Sequence, residues 1–166
     1  MLEIERCDIM GSEIERKFLL EGTDYKNNSE GVLYKQGYIC SGNGKVVRVR
    51  IAGSKGYITI KGPHKGIKRA EYEYEIPLND AEEMLNTLCI KPLIEKHRYK
   101  VSYEGFIWEI DEFHGENEGL VVAEIELNSE NQQFAIPQWI GKEVTGESKY
   151  YNSSLTKKPY SQWNNV

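Results

Sequence analysis

The chain has 166 residues, a mass of 19.2 kDa, a formal net charge of -5 and a sequence pI near 5.4. Its length suits one domain, and its contents of hydrophobic (39%) and charged (28%) residues exclude a disordered or collagen-like chain. The net negative charge argues against nucleic acid as the main partner.

Membrane and secreted proteins are also disfavoured. The sequence has no apolar run near the roughly 18 residues that a membrane helix needs. Residues 1–10 carry charged side chains where a signal peptide would be apolar. Cys7, Cys40 and Cys89 are far apart and in no metal-ligand spacing, which indicates free thiols. We therefore predict a cytoplasmic protein with no membrane partner.

The dominant hydrophobic period is two, in short segments separated by Gly, Asn and Ser, which predicts antiparallel strands joined by hairpins. The predicted strands are 12–20, 33–40, 45–52, 55–61, 69–77, 95–103, 105–113 and 121–128. Hairpin turns are expected at 52–56 and 103–105, and a longer loop at 62–66. Eight strands of this kind favour a barrel.

One segment has the helical period instead. Apolar residues recur at helical spacing between 79 and 90, with Asn79 as the N-cap, Glu82 as its capping partner and Pro92 beyond the end. A second short helix is predicted to begin at Pro137. The predicted fold class is therefore mainly β (α+β): an eight-stranded antiparallel barrel with a few outer helices.

A short motif, Glu-Ile-Glu-Arg, occurs at residues 3–6 and again at 13–16. Only the second copy continues into Lys17 and a predicted strand. We interpret the first copy as part of a leader of uncertain role, residues 1–9. Because no linker interrupts the rest, residues 10–166 are predicted to form a single domain.

The polar faces of the predicted strands are almost purely ionic, while the intervening positions are apolar or aromatic. The ionic residues are Glu13, Glu15 and Lys17; Arg48 and Arg50; Lys61; Arg69, Glu71, Glu73 and Glu75; Lys96, Arg98 and Lys100; Glu109 and Asp111; and Glu124 and Glu126. On any one strand, such a face indicates a surface exposed to water.

The repetition of ionic faces over so many strands favours a different interpretation. Like charges along one face repel, and bound counter-ions remove that repulsion. Carboxylates can surround a divalent cation, and cations can surround a polyphosphate. The pattern therefore predicts a barrel whose ionic faces point inward and form a charged tunnel, with the helices and the C-terminal tail covering the apolar outer faces.

The ordered set of motifs resembles the CYTH superfamily of triphosphate tunnel metalloenzymes, whose hallmark Glu-x-Glu-x-Lys matches Glu13, Glu15 and Lys17. The likeness spans about residues 12–155 and includes Arg-Val-Arg at 48–50, Thr-Ile-Lys at 59–61, Lys-His-Arg at 96–98, Glu-Ile-Glu at 124–126 and Val-Thr-Gly at 144–146. The layout is most similar to the small bacterial members. For these, the resemblance implies metal-dependent hydrolysis of inorganic tripolyphosphate and, in some, of nucleoside triphosphates.

The resemblance also implies roles for individual residues. The substrate-binding cations would be Lys17, Arg48, Arg50, Lys61, Arg69, Lys96, Arg98 and Lys149. The ligands of Mg2+ or Mn2+ would be Glu13, Glu15, Asp111, Glu124 and Glu126. The catalytic residues would be Glu13, Glu15, Lys17, Glu71, Glu73 and Asp111. The expected partner is a small-molecule triphosphate, bound by a monomer or a homodimer.

Three other functions stay open: a class IV adenylyl cyclase that makes cyclic AMP from ATP, a thiamine triphosphatase, and a non-catalytic polyphosphate-binding module. The intact acidic pairs on the first and last strands argue against the binding module. His64, His97 and His114 form no recognisable triad, and the loop of His64 lacks a P-loop ending. Neither nucleophilic catalysis by the protein nor Walker-type ATP binding is expected.

Overall fold

A computed structural model describes residues 14–65 and 68–163. The strands are β1 (Ile14–Leu20), β2 (Val32–Gly42), β3 (Lys45–Ala52), β4 (Lys55–Lys65), β5 (Lys68–Ile76), β6 (Ile94–Tyr103), β7 (Phe106–Phe113), β8 (Val121–Leu127) and β9 (Ile140–Glu143). The helices are α1 (Leu78–Thr87) and α2 (Asn152–Leu155), with single 3-10 turns at Asp24–Asn28, Gly115–Asn117, Ser148–Tyr150 and Tyr160–Gln162. No helix in this part of the chain is long and apolar enough to cross a membrane.

All eight predicted strands are present. The largest difference lies in β4, which continues to Lys65 through the predicted loop at 62–66. The pairing of β4 with β5 shifts register between Lys61 and His64, and this irregularity accommodates Pro63, which has no N–H to donate to a regular ladder. The short ninth strand, β9, was not predicted.

The strands form one antiparallel sheet in the order β5-β4-β3-β2-β6-β7-β8-β1-β9. As predicted, the first predicted strand pairs with the last, with Glu15 opposite Glu126 and Lys17 opposite Glu124. That pairing is not where the sheet ends, however. Among the described residues, the sheet ends at β5 and β9, because β9 adds to the free side of β1.

Helix α1 packs on the outer face of β2–β5, where Ala81 and Leu85 meet Val49 in a buried cluster. The predicted capping box at Asn79 is wrong. The helix begins two residues earlier than predicted, after Pro77, with no side-chain capping bond. The fixed φ of proline (observed at -53) suits this boundary position and explains the earlier start.

A second outer cluster is aromatic. Trp108 is fully buried and makes edge-to-face contacts with Phe18, Phe134 and Trp139, with ring centroids 5.5 to 5.8 Å apart. The helix predicted at Pro137 is wrong. A turn closed by the bond from the Ile140 N–H to the Pro137 carbonyl leads directly into β9.

Tyr72 and Tyr74 are not covered by the outer layer that was predicted for the apolar faces of the strands. Both side chains lie on β5 and remain more than half exposed, at 56% and 52%. Helix α1 covers only the neighbouring part of this face, around Ile58 and Ile76.

The C-terminal segment, residues 144–163, packs on the inside of the sheet and not on its outside as predicted. Val144, Tyr150 and Leu155 are buried against Ile94 and Phe113, and the cluster also contains Leu120 and Val122. Ile94 and Phe113 belong to the same strand faces as the ionic residues, at the end where those faces turn apolar. The segment therefore covers the inner face at one end of the strands.

Candidate active site

The inner face of the sheet surrounds a cavity of about 630 Å3 to which all of strands β1–β8 contribute. Among the described residues, six cations and six carboxylates line it: Lys17, Arg48, Arg50, Lys61, Lys96 and Arg98, with Glu15, Glu71, Glu73, Glu109, Glu124 and Glu126. The sheet therefore curves around its ionic face, as the predicted tunnel requires. The lining is formally neutral, so the net charge of -5 resides elsewhere in the chain.

Two arginines of β3 share one carboxylate on the first wall of the cavity. Arg48 Nη2 lies 3.4 Å from Glu73 Oε2 and 3.2 Å from Thr59 Oγ1, and Arg50 Nη2 lies 3.2 Å from Glu73 Oε1. The Nε atoms of both arginines are buried and have no hydrogen-bond partner within the described part of the chain. Buried donors of this kind without a partner are rare.

Burial and the neighbouring charge of Arg48 lower the pKa of Arg50. The Arg50 guanidinium also lies over the rings of Tyr34 and Tyr57, 5.4 and 5.5 Å from their centroids. Next along the wall, Lys61 Nζ is 2.9 Å from Glu71 Oε2. Each cation of this wall thus has a carboxylate beside it.

On the opposite wall, Asp111 holds the two cations Lys96 and Arg98. Its carboxylate is fully buried and accepts hydrogen bonds from Lys96 Nζ at 2.6 Å and from Arg98 Nε and Nη2, both at 2.7 Å. Burial opposes the charged form of Asp111, but these two cations hold its pKa well below the usual range. Asp111 does not line the cavity, which disagrees with its predicted role as a metal ligand.

The pKa values of the two cations held by Asp111 are shifted in opposite directions. Burial lowers the pKa of Lys96 to about 8, although the charge of Asp111 opposes the shift. Burial acts in the same direction on Arg98, but Asp111 and Glu109 outweigh it and raise the pKa of Arg98. Lys96 Nζ also donates a hydrogen bond to Asn152 Oδ1 at 3.2 Å.

The β1–β8 pair carries the third ionic group. Lys17 Nζ is 2.8 Å from Glu124 Oε1, and both side chains are about 90% buried. Burial lowers the pKa of Lys17, but Glu124 more than compensates, so the pKa is raised. Beside this pair, Glu15 and Glu126 lie directly opposite each other and both line the cavity. Glu13 lies outside the described residues.

The residues at β1–β8 suit a hard divalent cation that the substrate helps to bind. Carboxylates directly opposite on neighbouring strands repel, and a cation between Glu15 and Glu126 would relieve that repulsion. Within residues 14–65 and 68–163, no group of three His, Cys, Asp or Glu side chains forms a ready-made metal site. Mg2+ usually takes only one or two carboxylates together with phosphate oxygens and water, so two acidic side chains suffice.

Three predicted ionic residues need correction or stay open. Lys149 does not line the cavity, because its Nζ lies over the rings of Tyr150 and Trp163 at 4.9 and 5.0 Å. Glu75 does not line it either and pairs with Lys55 at 3.1 Å, with both side chains more than half exposed. The side chain of Arg69 lies outside the described part.

Sequence reasoning missed the uncharged residues of the lining. Gln36 and Tyr38 of β2 are buried in the wall, and burial raises the pKa of Tyr38. The sequence signal for this face of β2 was a polar residue, Gln36, that alternates with Tyr34 and Tyr38. Thr145, Tyr151 and Asn152 come from the C-terminal segment, where no period was visible.

His97, His114, Cys40 and Cys89 do not line the cavity. His97 Nδ1 and His114 Nε2 are 2.6 Å apart and bond to each other on the opposite face of the sheet. Cys40 and Cys89 are free. Cys7 and the side chain of His64 lie outside the described residues.

Acid should destabilise the fold through the buried carboxylates. The pKa values of Asp111 and Glu124 are both lowered in the folded protein, so their stabilising effect is present above their unfolded values, about 3.9 and 4.3, and is lost as the pH falls. We expect the thermal midpoint, followed by circular dichroism, to stay level from about pH 7 to 5 and to fall steeply below about pH 4.

The variant Glu124→Gln tests the source of this acid sensitivity. It should melt below the wild type at pH 7, with the difference narrowing towards pH 3, while the exposed control Glu118→Gln should follow the wild type throughout. A difference between Glu124→Gln and wild type that is the same at every pH would contradict the assignment.

Comparisons with known proteins agree with this geometry. The family model for the CYTH domain matches residues 11–160. The chain is 58% identical to an inorganic triphosphatase of Acetivibrio thermocellus over 93% of this chain and 99% of the relative. It is 34% identical to an inorganic triphosphatase of Nitrosomonas europaea over 87% and 96%. The solved structure of the inorganic triphosphatase NE1496 is 31% identical, with a TM-score of 0.64 over 89% of this chain and 95% of that one.

Proposed function

The chain belongs to the CYTH domain family, and from this premise we propose that it is an inorganic triphosphatase that hydrolyses the terminal phosphoanhydride of tripolyphosphate with the help of Mg2+ or Mn2+. The observation that carries the proposal is the concentration of six cations on the wall of one cavity, two of them with buried Nε donors that have no partner among the described residues. We place the reaction in the cytoplasm, with the small-molecule substrate as the main partner.

Tripolyphosphate matches this wall in charge and shape. It carries about four to five negative charges at neutral pH, spread along a linear chain. Arg48 and Arg50 on one wall and Lys96 and Arg98 on the other supply donors to phosphate oxygens from two sides. The arginine forks bind oxygens in pairs, and the lysines act as point charges. The cavity thus holds the substrate extended.

The acidic residues divide into two groups. Glu71, Glu73 and Asp111 contact the cations and position them, which replaces a direct catalytic role for these three. Glu15, Glu126 and Glu124 line the β1–β8 side. These carboxylates would hold the divalent cation, which neutralises the phosphoryl oxygens when bound.

Hydrolysis at this site needs water as the nucleophile. The oxygen of a water molecule attacks the terminal phosphorus, the bond to the bridging oxygen breaks, and phosphate and pyrophosphate leave. The proton of the water passes to a nearby base, and the carboxylates of β1 and β8 are the acceptors closest to the place proposed for the metal. Lys17, paired with Glu124, lies beside them to stabilise the charge that develops on the phosphoryl group.

Phosphate release from a substrate panel tests the proposal. We expect turnover of tripolyphosphate in Mg2+ or Mn2+, its loss in excess chelator, and its recovery when the metal is restored. ATP, thiamine triphosphate and pyrophosphate serve as the other substrates. No phosphate release from tripolyphosphate with either metal would overturn the proposal.

The same panel separates the alternative functions. Cyclic AMP formed from ATP would indicate an adenylyl cyclase, and preferred turnover of thiamine triphosphate would indicate a thiamine triphosphatase. Tight polyphosphate binding that a chelator does not weaken, without turnover, would indicate a binding module.

A further inference from the structure

The Lys96 ammonium is held from two sides by different parts of the fold. One hydrogen bond goes to Asp111 Oδ2 on the neighbouring strand, at 2.6 Å, and another to Asn152 Oδ1 in the C-terminal segment, at 3.2 Å. An ammonium has three N–H donors. Lys96 lines the cavity although it is only 1% exposed, and neither Asp111 nor Asn152 accepts its third donor.

Asp111 alone leaves the direction of this ammonium undetermined. The same carboxylate also accepts two hydrogen bonds from Arg98, so Lys96 shares its acceptor with another cation. Although the Lys96 side chain is buried, its ammonium group can still rotate about the Cε–Nζ bond when it has a single strong partner. A second acceptor on the far side restricts that rotation, and Asn152 Oδ1 supplies it.

Asn152 is not what attaches the C-terminal segment to the sheet. Leu155 is fully buried three residues later, and Val144 and Tyr150 are buried before it. Thr145 Oγ1 adds a hydrogen bond from the Lys17 N–H at 2.9 Å. Because these contacts do not involve the Asn152 side chain, its removal should leave the segment in place.

We infer that Asn152 is a positioning residue for substrate binding: its amide oxygen orients the Lys96 ammonium so that the remaining N–H points at a phosphate oxygen of tripolyphosphate. This inference rests on the proposed function. It assigns the C-terminal segment a part in binding, since the same segment also contacts Lys17, whose Nζ donates to the Tyr150 carbonyl at 3.4 Å.

The decisive measurements are steady-state kinetics in Mg2+ and calorimetric titration of tripolyphosphate in chelator, where binding is read without turnover. Asn152→Ala should raise KM and weaken binding about tenfold, the size of one hydrogen bond to a charged group, with kcat changed less than about twofold. Ser154→Ala, on the same helix but outside the cavity lining, is the matched control and should behave as wild type.

A double-mutant cycle with Lys96→Met completes the test. If Asn152 acts through Lys96, adding Asn152→Ala to Lys96→Met should cause no further loss of binding. Additive losses or an effect on kcat alone would overturn the inference, and thermal melts identify any variant that is merely unfolded. A wild type that binds tripolyphosphate but does not hydrolyse it would refute the proposed function while the titrations still decide the role of Asn152.

Discussion

Replacing both Arg48 and Arg50 by alanine should raise KM for tripolyphosphate by about a hundredfold or more, because each guanidinium supplies charge-assisted hydrogen bonds worth roughly 1.5–3 kcal/mol apiece. Their Nη donors already contact Glu73, so the substrate competes with that carboxylate for both guanidinium groups. The fold should survive, since the carboxylate left behind, Glu73, is about one-third exposed. Initial-rate kinetics and calorimetric titration measure the loss.

Two control proteins define what the arginines contribute. Arg48→Lys with Arg50→Lys keeps the charges but loses the paired donors, and should bind with intermediate affinity. Lys55→Ala removes a cation from the exposed pair with Glu75, away from the cavity, and should leave the kinetics unchanged. A double alanine variant with normal KM and reduced kcat would contradict the assignment of these arginines to binding.

Replacing Glu126 by glutamine should lower kcat about a hundredfold at saturating substrate and should raise the metal concentration needed for half-maximal activity. The substitution preserves the size of the side chain and removes only the charge that opposes Glu15 across the β1–β8 pair. Glu126 is exposed at the cavity wall, so stability should change little. Rates measured over a series of Mg2+ and Mn2+ concentrations test both effects.

The corresponding control is Glu130→Gln, an exposed carboxylate outside the cavity lining, which should leave both the rate and the metal dependence unchanged. If Glu126→Gln and the double arginine variant changed KM and kcat to the same extent, the assignment of the cations to binding and of the carboxylates to turnover would be contradicted.

The β-strands and their inward faces could be predicted from the sequence because alternation fixes both at once. On β6, for example, Lys96 and Arg98 occupy the face opposite to His97, and a shift by one residue would exchange the two environments. The alternation of charge therefore located the cavity lining as well as the strands.

The parts that could not be predicted lack a period. β9 has four residues, too few for alternation to be visible, and it forms by pairing with β1, a partner distant in sequence. Pro137 matched the start of a helix locally, but the pairing of β9 decided the outcome. Local preference was overruled in the same way at Pro63, which lies within a strand where the sequence predicted a loop.

The sequence predicted which charged residues face the candidate site, but it did not predict how deeply each of them is buried. Alternation placed Asp111 on the inner face but could not show that two cations cover it, because the sequence gives no distances. Lys149 was chosen for its charge, whereas the residues of that region that reach the cavity, Asn152 among them, are uncharged. Neither composition nor periodicity indicates which uncharged residue accepts a hydrogen bond from a buried cation.

The neutral lining has a consequence for selectivity. Since the cations already contact carboxylates of the protein, a single phosphate must compete with Glu71 or Glu73 for each cation it approaches, and it gains little from the exchange. A linear chain of three phosphates makes several such exchanges after losing its freedom of motion only once, so its gains accumulate. Binding should therefore be weak for a single phosphate and rise sharply with the number of linked phosphates. Orthophosphate and chloride should be poor competitors even at concentrations far above that of the substrate.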